Sequence, residues 1–208
     1  MQEKLKIITI GDYNISILKN YFKDNENIEF LKLALDESID NLNTNFSKRD
    51  IVFLRTNAEN LEKLLEVGKA LKEKEIITIT VLEEKLAIEN KKVLEEAINT
   101  IFPVNKKDDI ENLFLELIKM IYNIIFERCY INLDVEDVKY MLKDSGISVF
   151  GSLNINKTIS KKDIIKNINY PFYPKNLKDS KKLLIFLNTL EGFVLTEGEL
   201  ITDTLRNE

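Results

Sequence analysis

Apolar residues in the first half of the chain fall in short runs separated by amphipathic stretches. Leu5 to Ile10 (LKIITI) ends at Gly11 and reads as a buried strand. Asn14 to Phe22 carries Ile15, Leu18 and Phe22 at helical spacing. Ile28 to Leu35 (IEFLKLAL) and Ile51 to Leu54 (IVFL) predict two further strands. Leu61 to Leu71 predicts an amphipathic helix. Ile76 to Val81 (IITITV), rich in β-branched residues, predicts a fourth strand. Ile88 to Ile98 reads as one helix, and Ile101 to Val104 (IFPV) as a fifth strand whose Pro103 suits an edge or a terminus. Strands alternating with helices at this spacing predict an α/β fold with a doubly wound, mainly parallel sheet and helices on both faces.

The longest helical pattern follows, from about Asp108 to Arg128. Ile110, Leu113, Phe114, Leu117, Ile118, Ile121, Ile124 and Ile125 recur at steps of three and four, with no Gly or Pro between. Leu115, Met120 and Phe126 lie off that stripe, so this long central helix is expected to be covered on more than one side. After it come a helix from Asp134 to Leu142, a strand from Ile147 to Phe150 and a helix from Lys161 to Asn169. A turn-rich link, YPFYPKN (170–176), precedes a strand at Leu183 to Leu187, a short one at Phe193 to Leu195 and a last helix. Thr196 with Glu199 predicts a capping box at the start of that helix. The expected division is residues 1–106 as an α/β domain, 107–130 as the central helix and 131–208 as a smaller, truncated α/β half-domain.

Composition narrows the chemistry. The chain has 208 residues, 44% hydrophobic and 31% charged, the balance of a folded globular protein. Its net charge of −5 comes from 30 basic and 35 acidic residues that are interleaved, which argues against a nucleic-acid stripe. There is no histidine and a single cysteine, Cys129, so a histidine base is excluded and no metal site of the usual Cys/His type is expected. A lone cysteine calls for no oxidising compartment, and it reads as a small buried hydrophobe. The N-terminal run mixes charge into its apolar stretch, and no segment approaches the ~20 apolar residues of a membrane span. No insertion into a membrane is expected, and the expected location is the cytoplasm.

From Ile131 the segment INLDVEDVKYMLKDSGISVFGSL resembles the stretch that leaves the central helix in the bacterial division GTPase FtsZ, of the tubulin superfamily. Asn132, Leu133, Asp134, Asp137, Val138, Lys139, Gly146 and Gly151 stand at matching positions. Further on, KKLLIFLNTLEGFVLTEGEL resembles another FtsZ stretch, matching at Asn188, Thr189, Gly192, Leu195, Thr196 and Glu199. RDIVFLRTN with ALKEKEIITITV, and AINTIFPVN, resemble the strands around the FtsZ phosphate loop and the strand ending in I-P-N. The resemblance implies a tubulin/FtsZ-like layout, shortened, with the family's last strands and C-terminal tail absent.

It also implies where a nucleotide would bind, and there the family's features are missing. The glycine-rich phosphate loop is matched by RTNAENLEKL (55–64), which has no glycine and carries Glu59 and Glu62, with Arg55 as the nearby cation. Such a loop offers phosphate few open backbone N–H groups and adds repulsion. Gly11 and Asn14 match the first loop, but Asp12 and Tyr13 between them add charge and bulk; Gly11 by itself reads as a strand-to-helix turn. At the base-reading position the family's Asp is matched by Asn112, which loses the charge-assisted pair. No cofactor is therefore expected; a retained site would take GTP or GDP.

Asn132, Asp134 and Asp137 match the loop that, in the family, reaches into a neighbouring subunit's site and orients the attacking water. The same residues also suit helix capping. The resulting expectation is a pseudo-GTPase that associates with FtsZ filaments, or with itself, through the Asn132–Asp137 face. The alternatives are a divergent GTPase whose catalysis is completed between subunits, and a dimerisation platform unrelated to division.

Overall fold

A computed structural model describes residues 3–42, 44–105, 110–128, 133–152, 180–187 and 195–206. The elements run β1 (Leu5–Ile10), α1 (Ser16–Tyr21), β2 (Ile28–Leu33), β3 (Ile51–Thr56), α2 (Leu61–Glu73), β4 (Ile77–Glu83), α3 (Glu84–Glu89), α4 (Lys91–Ala97), β5 (Thr100–Val104), α5 (Ile110–Phe126), α6 (Val135–Leu142), β6 (Gly146–Ile147) and α7 (Leu195–Arg206). Among the described residues these strands form one sheet in the order β2-β1-β3-β4-β5-β6, with parallel pairing between each neighbouring pair.

The continuous apolar runs make sense in that sheet. β1, β3 and β5 are buried at every residue and β4 at all but its last, because helices cover both faces of a parallel sheet. β2 is half-exposed along its middle, as an edge strand should be. Pro103 lies inside the sheet, opposite Leu82 of β4, yet beyond the reach of β6, which pairs only with Thr100 and Ile101. Its missing N–H therefore costs no bond on the β6 side.

Two cores flank the sheet. On one face Leu5, Ile7, Ile51, Phe53, Ile77 and Ile79 meet α1, α5 and α6 through Leu18, Phe114, Leu117, Ile121, Val135 and Val138. On the other, Ile8, Ile10, Val52 and Leu54 meet α2, α3 and α4 through Leu64, Val67, Leu71, Ala87 and Leu94. α1 leads from β1 outward to β2, whereas α2 leads from β3 the opposite way to β4. The winding thus reverses between β1 and β3, at the point where crevices open in doubly wound folds.

Four expectations change. Ile88 to Ile98 is two helices broken at Asn90, whose side-chain Nδ2 donates to the Leu86 carbonyl at 3.0 Å and so competes with the helix ladder. The strand expected over Ile147 to Phe150 is reduced to Gly146–Ile147. Leu183 to Leu187 has no regular secondary structure; an apolar run becomes a strand only where a neighbour takes its hydrogen bonds. The last helix begins at Leu195, which puts Thr196 within its first turn rather than at its cap. The elements expected over Lys161 to Asn169, 170–176 and 193–194 lie outside the described residues, as does Cys129. Among the described residues no helix is long and apolar enough to cross a membrane.

Candidate functional site

The C-terminal ends of β1 and β3 carry the residues singled out in the sequence. Gly11 follows β1 with φ of 72°, a conformation L side chains rarely adopt. A Cβ there would lie 3.1 Å from Asn60 Nδ2 and 3.4 Å from Leu35 Cδ2, so the space above Gly11 is already filled by the start of α2 and the loop after β2. Asn14 accepts from the Ser16 N–H at 2.9 Å and opens α1. The stretch after β3 is a tight 3-10 turn, Ala58–Asn60, running straight into α2, with Glu59 and Glu62 exposed.

What fills the reversal point is an ion-pair cluster. Arg55 extends from β3 on the α1/α5 face and is 4% exposed. Its Nη1 donates to the carbonyls of Val81 at 2.9 Å and Thr56 at 3.3 Å. Its Nη2 donates to the Tyr13 hydroxyl, which itself donates to the Glu111 carboxylate. The guanidinium carbon sits 4.3 Å from the centre of the Tyr13 ring, a stacked cation–π contact. Glu111, in the first turn of α5, lies 3.7 Å from Arg55 Nη2. Among the described residues Arg55 Nε is buried without a partner. Burial lifts the Tyr13 phenol above its ordinary value against the pull of Arg55, and the hydrogen bond to Glu111 adds to the rise. The phenol therefore stays protonated, as a bridge between cation and carboxylate.

In front of Tyr13 lies a cleft of about 270 Å³ lined by Asp12, Tyr13, Asn14, Ser16, Ile17, Asn57 and Glu111. Asp12 at its rim pairs with Lys32 at 2.8 Å, which holds its carboxyl below the usual range. Of the expected nucleotide residues, the structure brings Asn14 to this cleft, whereas Gly11, against Asn60 and Leu35, does not line it. Asn112 is exposed and does not line it; its neighbour Glu111 does. The sequence drew attention to Tyr13 and Arg55 singly but missed Glu111. One signal was available: an arginine that closes an otherwise apolar strand, IVFLRT, needs a buried counter-charge from elsewhere.

Asp134 and Asp137 form a reciprocal capping box at the start of α6. Asp134 Oδ1 accepts from the Asp137 N–H at 2.9 Å, and Asp137 Oδ2 accepts from the Asp134 N–H at 3.3 Å. Both side chains are exposed. Each spends one oxygen on the backbone and keeps the other for solvent or a partner. Asn132 lies outside the described residues.

Fold and site together define a doubly wound α/β protein whose six described strands pair in parallel and whose reversal point is occupied by its own side chains. No protein-family profile matches the chain, and no curated protein matches it significantly.

Proposed function

We propose that this chain is a binding module: an FtsZ-like pseudo-GTPase of the cytoplasm that joins FtsZ-type filaments, or other copies of itself, through the face carrying Asp134 and Asp137. The observation that carries the reading is the Arg55–Tyr13–Glu111 cluster. A triphosphate at the reversal point would need open backbone amides and an uncommitted cation. Here the one buried arginine is spent on Glu111, Tyr13 and two carbonyls, and Asn60 crowds Gly11. The capped, exposed Asp134 and Asp137 support a surface that a partner can read without any turnover in this chain.

Titration calorimetry with GTP and Mg²⁺ is expected to show no binding. Mixing at equimolar ratio with FtsZ is expected to change polymer mass followed by light scattering. Micromolar GTP binding would instead favour the divergent GTPase, a reading that draws on the 270 Å³ cleft in front of Tyr13. An unchanged polymer mass would remove FtsZ as the partner.

A further inference from the structure

Among the described residues no strand pairs with the outer side of β2, and the pattern of its unpaired groups is specific. Leu5 N–H donates to the Asn27 carbonyl and Gly11 N–H to the Leu33 carbonyl, so residues 27, 29, 31 and 33 of that stretch face β1. The amides of Ile28, Phe30, Lys32 and Ala34 therefore face away from the sheet. Two of them are capped internally: Ile28 N–H donates to the Asn25 carbonyl, and Ala34 N–H to Glu37 Oε2 at 2.9 Å. Phe30 and Lys32 N–H, between the two caps, meet no acceptor among the described residues.

We propose that this strip is a self-pairing edge: two copies of the chain join β2 to β2, antiparallel, about a two-fold axis normal to the sheet and passing beside Leu31. The inference is independent of the FtsZ reading. Only one such register matches the open groups. With Leu31 opposite Leu31, Phe30 of each copy stands opposite Lys32 of the other. The uncapped Phe30 and Lys32 N–H groups then donate to the Lys32 and Phe30 carbonyls of the second copy, each bond made twice by symmetry. The next positions outward, Ile28 and Ala34, are the capped ones, so the ladder stops there.

Side chains fit the same register. Leu31 is half-buried on the α2/α4 face and meets its own copy on the axis. On the other face the second copy's Lys32 falls beside Phe30, which lines a groove of about 420 Å³ floored by Phe22 and Ile28 and rimmed by Lys19, Lys23, Asp24 and Glu26. The Lys32 stem covers the Phe30 ring, and its ammonium reaches the Asp24 and Glu26 end of the rim. Its present partner, Asp12, is 98% exposed. An ion pair so open holds Lys32 weakly and leaves it free to exchange.

Sedimentation of the full chain over a range of concentrations is expected to show a monomer–dimer equilibrium. Lys32→Pro removes an outward N–H and no internal ladder bond; because the lost bond occurs twice, dimerisation should weaken roughly ten- to hundredfold with the fold retained. In a Cys129→Ser background, Leu31→Cys is expected to oxidise to a covalent dimer, since residues opposite each other in a non-hydrogen-bonded pair sit about 4.5 Å apart. Lys32→Cys should not, because its copies stand more than ~7 Å apart in this register. A chain that stays monomeric at every concentration overturns the proposal, as does a dimer untouched by Lys32→Pro. Should Lys32→Pro fail to fold, the cysteine pair decides: cross-linking at Leu31 alone supports the register, and cross-linking at both or neither position overturns it.

Discussion

Arg55 shows how one side chain can close a site. At the end of β3 it is buried on the side of the sheet that faces α5, where an unpaired guanidinium would cost several kcal/mol. Glu111 from α5 supplies the counter-charge, and the neutral Tyr13 hydroxyl from the loop after β1 bridges to it, although 98 residues separate those two in sequence. Removing the carboxylate should therefore hurt more than removing the phenol. Glu111→Gln is expected to lower stability by about 2 kcal/mol, less than a fully buried pair because Glu111 is 30% exposed. Tyr13→Phe should cost about 1 kcal/mol, since Arg55 can still lean on Glu111 directly. Urea unfolding of the two variants would check the order, and the reverse order would place the main counter-charge elsewhere.

At the scale of elements, strand positions were readable because a strand in a covered parallel sheet is a continuous apolar run, as LKIITI and IITITV are. The break at Asn90 was not readable, since Ile88 to Ile98 keeps helical spacing through it and only a local side-chain bond ends α3. Gly68 makes the same point about packing. In the middle of α2 it looks like a poor helix residue, yet a Cβ there would stand 2.9 Å from both the Ala97 carbonyl oxygen and Ile98 Cγ1. Gly68→Ala would gain roughly 0.5–1 kcal/mol of helix propensity. Forcing α2 off α4 costs about 1–3 kcal/mol, so the clash wins. The variant should melt below the wild type; a rise in melting temperature would mean that α2 is free to shift.

For the whole molecule, carboxylates set the acid limit. Burial alone would raise Glu29, but its hydrogen bonds from Lys6 and Thr44 and the Lys6 charge hold it below 4.5. The hydrogen bond from Lys72 does the same for Asp144, below its ordinary 3.8. The unfolded chain then binds more protons than the folded one as these groups titrate, so stability rises with pH through that range. Stability from these groups is complete above about 4.5 and should drain away as pH falls below it. Chemical denaturation at a series of pH values would show the midpoint falling on acidification. A flat profile would mean that Lys6 and Lys72 are not paired in solution.

The sequence alone determined the parallel α/β class and most strand positions, because burial on both faces writes itself into the chain as runs of Ile, Val and Leu. It also singled out Tyr13 as added bulk in the loop after β1 and Arg55 as the nearby cation. The strand order, the union of Arg55 with Glu111 and the open amides of Phe30 and Lys32 were decided by tertiary structure. Each depends on which backbone and which charge come to lie side by side, and residue spacing along one chain carries no record of that.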